Sequence, residues 1–231
     1  MGEPVELPRT LHAQLYLLAY DRKHHRFGGT TSSARWLFEF ALRSAMLTDL
    51  HLTGYLADTD GKAQPIRGVR HDDPVLHEAL KDAAGQNWTR WIAQGQRDVR
   101  QLVGDQLEAT GWVNVQRRRT LGVLPARLGV YDDDMVGGLA YRVIEALDSI
   151  IDDKPADPRP LALGLLAFNG QLPVVSAIFE NLEHRGRLRE MTFAAIEPIL
   201  GLHQAIQNRL AGVRFGSDAP GFCSGGCGGG V

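Results

Sequence analysis

Gln96–Val113 reads QRDVRQLVGDQLEATGWV. At about 100° per residue, Val99, Leu102, Val103 and Leu107 share one stripe, which predicts a helix with that stripe on a core. Gly111 follows as a left-handed cap, and the chain leaves it in extended form. RRRTLGVLPARLGVYDDD (Arg117–Asp134) then alternates as a β-hairpin does. Two folds accommodate a helix followed by such a hairpin. One is a winged helix, with Arg117, Arg118 and Arg119 as a basic wing on nucleic-acid phosphates. The other is a mainly helical domain that carries a protruding hairpin. The segment LVGDQLEATG is acidic where a recognition helix would meet the DNA backbone, and this favours the second.

The same helix poses a chemical question. Its two arginines, Arg97 and Arg100, have no acidic residue at the helical pairing positions. For Arg97 these are Ala93, Gln94, Arg100 and Gln101; for Arg100 they are Gln96, Arg97, Val103 and Gly104. Gly104 projects between them one turn on, so the surface there is expected to be bare. Two unpaired guanidinium groups beside an open backbone predict an anion site.

Outward from this stretch the chain reads as helix after helix. TLHAQLYLLAYD (Thr10–Asp21) predicts a first helix capped by Thr10, and DRKHHRFGG a polar loop holding His24 and His25. Ser32–Leu52 predicts a long helix, with Trp36, Leu37, Phe40, Met46, Leu47 and Leu50 at helical spacing. DTDGKAQP is a turn, and Asp73-Pro74 opens another helix. Trp88 and Trp91 follow in QNWTRWIAQG. Beyond the hairpin, GGLAYRVIEALDSIIDD, RPLALGLLAFNG, PVVSAIFENLEHRG and MTFAAIEPILGLHQAIQNRLAG each predict a helix. LHLTGYL, LEATGWV and LEHRGRL each read as a helix end, a left-handed glycine and an extended apolar residue.

Composition sets limits on function. The chain has 231 residues and a formal net charge of −2. That length sustains a full core without staples. The charge excludes a broadly basic nucleic-acid-coating protein, so an anion site must be a local patch. Arginine far outnumbers lysine, and its planar fork suits phosphates. The two cysteines, Cys223 and Cys227, both lie in the tail GFCSGGCGGGV. They provide no disulfide framework and no second pair of zinc ligands, which points to a reducing cytosol. No apolar run approaches the roughly 20 residues of a membrane span. The aspartates of DDDM and DSIIDD read as helix ends rather than a magnesium site. No nucleophile–base grouping or phosphate-cradling glycine loop is present. Neither an enzyme nor a cofactor or metal is expected.

In their order and spacing, TLHAQLYLLAYDR, LRSAMLTDLHLTGYL, VLHEAL, NWTRWI and RDVRQLVGDQLEATGWV with its hairpin resemble the Golgi phosphoprotein 3 family over roughly Leu7–Leu210. The resemblance implies a peripheral membrane adaptor that recognises phosphatidylinositol 4-phosphate or a related inositol lipid. It implies one mainly α domain with a helical core and a protruding hairpin, here residues 1–214, followed by a glycine-rich disordered tail, 215–231. Arg43, Arg97 and Arg100 stand where the family grips the lipid phosphate. The family's tryptophan position falls on Ala34; Trp36, two residues on, is the accessory candidate on another face. Leu121, Val123, Leu124 and Leu128 of the hairpin would contact the membrane or a second copy of the chain. The family's basic N-terminal arm is replaced by the short, acidic MGEPVELPRT. The arginine-rich, lysine-poor chain looks bacterial, so the family's Golgi clients do not carry over. Its expected place is the cytoplasmic face of a membrane, without nucleic acid.

Overall fold

The computed structural model describes residues 6–21, 26–27, 32–66, 70–95, 98–116, 127–130, 132–176 and 180–216. Its elements run α1 (Leu11–Leu18), β1 (Tyr20–Asp21), β2 (Arg26–Phe27), α2 (Ser32–Leu52), β3 (Leu56–Thr59), β4 (Lys62–Pro65), α3 (Pro74–Ala83), α4 (Trp88–Gln94) and α5 (Val99–Ala109). There follow β5 (Val113–Gln116), β6 (Arg127–Val130), α6 (Asp133–Ile151), α7 (Pro158–Asn169), a 3-10 turn at Pro173–Val175, α8 (Leu182–Phe193) and α9 (Glu197–Gly216). The protein is mainly helical, as expected, with the strands confined to two-stranded antiparallel pairs.

Helix α2 spans the predicted residues and organises the rest. Every residue from Ala41 to Leu50 is buried. A stretch of helix buried on all sides must be surrounded, and α2 packs against α1, α3, α4, α5, α7 and α9. Its buried polar side chains fasten neighbours one by one. Arg43 Nη1 donates to the Ile92 carbonyl at 3.1 Å, at the end of α4. Ser44 Oγ donates to the Pro198 carbonyl at 2.7 Å, at the start of α9. Asp49 accepts from the Leu11 amide at 2.8 Å and from Arg159 Nη1 at 2.9 Å, tying α1 and α7. Arg159 also donates to the Arg9 carbonyl. Leaving such a buried group unmade costs about 1–3 kcal/mol, so these bonds specify the packing as well as support it. Thr48 Oγ1 is buried without a partner among the described residues.

The Asp49 contact corrects the sequence reading of α1. Thr10 occupies the N-cap position but its side chain makes no capping bond; the acceptor comes from α2 instead. The helix also stops at Leu18. Tyr20–Asp21 pairs with Arg26–Phe27 where a plain loop was expected; His24 and His25 lie outside the described residues.

Two of the three predicted glycine caps hold. Gly54 and Gly111 have φ of 73° and 79°. The Tyr55 amide returns to the Leu50 carbonyl and the Trp112 amide to the Leu107 carbonyl, both at 2.8 Å, closing each helix in a Schellman arrangement. Gly186 does not follow: LEHRGRL lies inside α8. Asn181 starts that helix by accepting from the Glu183 and His184 amides, so PVVSAIFENLEHRG is not one helix. MTFAAIEPILGLHQ likewise divides, with α8 closing at the Ala194 cap and Pro198 taken into the first turn of α9.

The expected turn in DTDG is a hairpin turn at Asp60 and Gly61, both with positive φ, joining β3 to β4. The hairpin after α5 pairs Val113 with Val130 through to Gln116 with Arg127. Its basic stretch and tip, residues 117–126, lie outside the described residues. Asp132 caps α6 by accepting from the Asp134 and Met135 amides, which gives the DDDM aspartates the helix-end role expected of them.

Candidate functional site

The elements that carry the candidate residues converge on α2. Helix α4 ends against Arg43, and the chain then passes through residues 96 and 97 to α5. Gln96 and Arg97 lie outside the described residues. Asp98 precedes α5 in the left-handed region, with φ of 56°. A non-glycine residue held there costs about 1–3 kcal/mol and fixes the direction in which α5 starts. The predicted stripe of α5 is inward, with Val99, Val103 and Leu107 buried and Leu102 packed at the edge.

Arg100 stands on the first turn of α5, half-exposed. Among the described residues it has no hydrogen bond or ion pair, as its helical spacing implied. It lines a cavity of about 270 Å³ with Tyr16, Arg35, Glu39, Asp98, Gly104, Asp105 and Glu108 among its neighbours. Glu39 is engaged by Arg35 at 3.0 Å. The surface over Gly104 is not bare, however. A Cβ there would come within 2.9 Å of the Tyr16 hydroxyl, so Tyr16 covers the backbone that an anion was expected to approach. Burial pushes the Tyr16 pKa up, against the opposing pull of Arg100.

Arg43 is 6% exposed. Burial holds its guanidinium below the ordinary arginine value, with Glu39 acting in the opposite direction. Its guanidinium carbon lies 5.8 Å from the Phe40 ring centre. Arg209 of α9 also meets this aromatic group, 4.9 Å from the Trp36 ring centre and 5.9 Å from that of Phe40. Trp36 is half-buried and meets Phe40 edge-on at 5.2 Å.

Helix α5 is anchored by a partly buried polar chain. The Gln106 amide nitrogen donates to Asp73 at 2.6 Å, so its oxygen accepts from His12 Nε2 at 3.1 Å. His12 therefore carries a proton on Nε2, and its charge depends on whether Nδ1 binds a second one. It is fully buried, and its Nδ1 has no partner among the described residues. Burial lowers its pKa; Asp73, Gln106 and Asp49 push it up and His71 down. The folded state therefore binds this proton more weakly than the unfolded chain. Stability is at its full value above the ordinary histidine pKa of about 6.5, and falls below it by up to about 1.4 kcal/mol per pH unit. We expect the melting temperature to drop more steeply from pH 7 to 5.5 in the wild type than in His12→Gln. Equal slopes would show that another group governs this range.

A cavity of about 890 Å³ lies between α6 and α8 and is lined by Ile144, Val174 and Leu182 with Asp148, Glu180 and Glu183 among others. Three carboxylates without a lysine or arginine give it the wrong sign for an anion. No group of His, Cys, Asp or Glu among the described residues can hold a metal ion. No described helix is long and apolar enough to cross a membrane.

An unpaired arginine and a stacked aromatic–arginine cluster do not by themselves identify a protein, but the ordered helices that carry them do. The family model described as Golgi phosphoprotein 3 (GPP34) matches residues 11–207. The chain belongs to the GPP34 family. No individual curated protein matches it. The GPP34 family is known for peripheral Golgi proteins that bind phosphatidylinositol 4-phosphate and is generally one of non-enzymatic adaptors. The match ends within α9 and so includes all of α2, α4 and α5.

Within the GPP34 frame, Arg43 and Trp36 both belong to α2 and meet Phe40, whereas Arg100 belongs to α5 and shares its cavity with Arg35 and Glu39 of α2. Ala34, at the family's tryptophan position, lies in the first turn of α2. Arg117, Arg118, Arg119, Leu121, Val123 and Leu124 lie outside the described residues, and Leu128 is in β6 opposite Val115. Sequence reasoning overlooked Arg209. A signal was available: Ala205, Ile206, Gly212 and Val213 leave it, like Arg97 and Arg100, without an acidic helical partner.

Proposed function

We propose that this GPP34 protein is a peripheral adaptor that binds anionic phospholipid headgroups at the cytoplasmic face of a membrane. Phosphatidylinositol 4-phosphate or a related inositol lipid is the proposed ligand. Arg97 and Arg100 bind the phosphate, and Arg43 adds its charge from beside the last turn of α4. The observation that carries this reading is Arg100, a half-exposed guanidinium on a folded helix without an ion-pair partner among the described residues. A guanidinium in that state is free to give charge-assisted hydrogen bonds to an incoming phosphate. Leu121, Val123, Leu124 and Leu128 of the hairpin are the proposed apolar contacts with the bilayer or a second copy. The lipid-binding unit is residues 1–214, and the glycine-rich tail, 215–231, is dispensable to it.

The test is flotation with phosphatidylcholine vesicles, with and without phosphatidylinositol 4-phosphate, at low and raised salt. Binding should require the anionic lipid and weaken as salt screens the site. Equal flotation with plain phosphatidylcholine, or none with either, would contradict the proposal.

A further inference from the structure

Arg209 has the features of a ligand-binding cation rather than a solvated one. It is exposed on α9, and no carboxylate among the described residues pairs with it. Its guanidinium is held 4.9 Å from the centre of the Trp36 ring. Trp36 in turn is fixed edge-on against Phe40, whose ring centre lies 5.8 Å from the buried Arg43 guanidinium. Stacking engages the face of a guanidinium and leaves its N–H edge available. It also restricts the side chain before any ligand arrives, which lowers the entropy lost on binding. The only described carboxylate on this part of α2, Glu39, is bridged to Arg35.

We propose that Arg209, oriented by Trp36, is a further phosphate-binding residue, taking an anionic lipid headgroup phosphate at the α2–α9 face beside Trp36 and Phe40, whose ring Arg43 also meets. The inference rests on the lipid-binding reading above and adds to it a residue and a surface. It gives Trp36 a defined part: the indole positions the arginine and need not touch the lipid. Phosphate is the fitting class because the free edge of one guanidinium matches two phosphate oxygens.

Trp36 and Arg209 should then act as a unit. In vesicle co-sedimentation with phosphatidylcholine carrying phosphatidylinositol 4-phosphate, Arg209→Gln should weaken binding about tenfold, the loss of one charge-assisted phosphate contact. Trp36→Leu should weaken it too, although no charge is removed, whereas Trp36→Phe keeps a ring and should lose less. The double variant Trp36→Leu/Arg209→Gln should bind no worse than Arg209→Gln. Arg142→Gln, an exposed arginine on α6, is the control for bulk charge, and circular dichroism confirms folding. If Arg209→Gln binds like Arg142→Gln while Arg97→Ala/Arg100→Ala does not bind, Arg209 is only packed against Trp36, and this inference falls while the lipid reading stands. If the wild type ignores the anionic vesicles, both fall. If Trp36→Leu binds like the wild type, Arg209 is not oriented by the indole and the proposed unit is overturned.

Discussion

Asp49→Ala is expected to destabilise the protein by about 3 kcal/mol and to lower its melting temperature by about 6–12 °C. The side chain of Asp49 is 4% exposed and pairs with Arg159, which is 35% exposed. Breaking a buried pair from one side costs about 3–5 kcal/mol. The partial hydration of Arg159 places this case at the lower end. Part of the loss is the first turn of α1, whose Leu11 amide has Asp49 as its acceptor and no capping bond from Thr10. Asp49→Asn keeps an acceptor for that amide but not the charge facing Arg159, so it should fall between alanine and the wild type. Urea unfolding of the three proteins measures this directly. A loss below 1 kcal/mol in Asp49→Ala would show that the network does not tie α1 and α7 to α2.

The second large effect concerns binding rather than stability. Arg97→Ala/Arg100→Ala should cut affinity for vesicles containing the anionic lipid at least tenfold. Each charge-assisted contact contributes about 1.5–3 kcal/mol, and two are removed together. Folding should hardly change. Arg100 has no hydrogen bond or ion pair among the described residues, and alanine is the better helix former. The two predictions thus separate the residues that hold the helices from those that meet the ligand. Arg43 stands between them, because its bond to Ile92 makes it part of the packing as well as of the site's charge.

Local signals in the sequence account for the elements that local physics decides. The long apolar periodicity of Ser32–Leu52 and the stripe of Val99, Val103 and Leu107 reach the structure unchanged, because burial and helical period agree there. Gly54 and Gly111 succeed for the same reason, each ending a stripe. Gly186 looks alike locally, but Asn181 caps a new helix five residues before it. Leu188 and Thr192 then draw that helix inward, where both are buried. Their burial outweighs a cost of about 1 kcal/mol for glycine in a helix interior.

The site was legible only where it depends on one helix. The absence of acids around Arg100 could be counted along the chain. Tyr16 over Gly104, Asp49 on Leu11 and Arg209 on Trp36 join residues far apart in sequence, and nothing in the spacing of either partner announces the other. Each arises from how α1, α7 or α9 is laid against α2. That packing is decided by the buried face of α2 as a whole.

The central claim is that an inositol-lipid phosphate is held at the α4–α5 junction beside α2. The most direct measurement is a titration of the isotope-labelled protein with a soluble short-chain phosphatidylinositol 4-phosphate, followed by NMR of backbone amides and arginine Nε–H groups. Saturable shifts should concentrate at Arg43, Arg97 and Arg100 and in the neighbouring turns Ile92–Gly95 and Asp98–Gln101. No shifts, or shifts centred on the acidic cavity between α6 and α8, would contradict it.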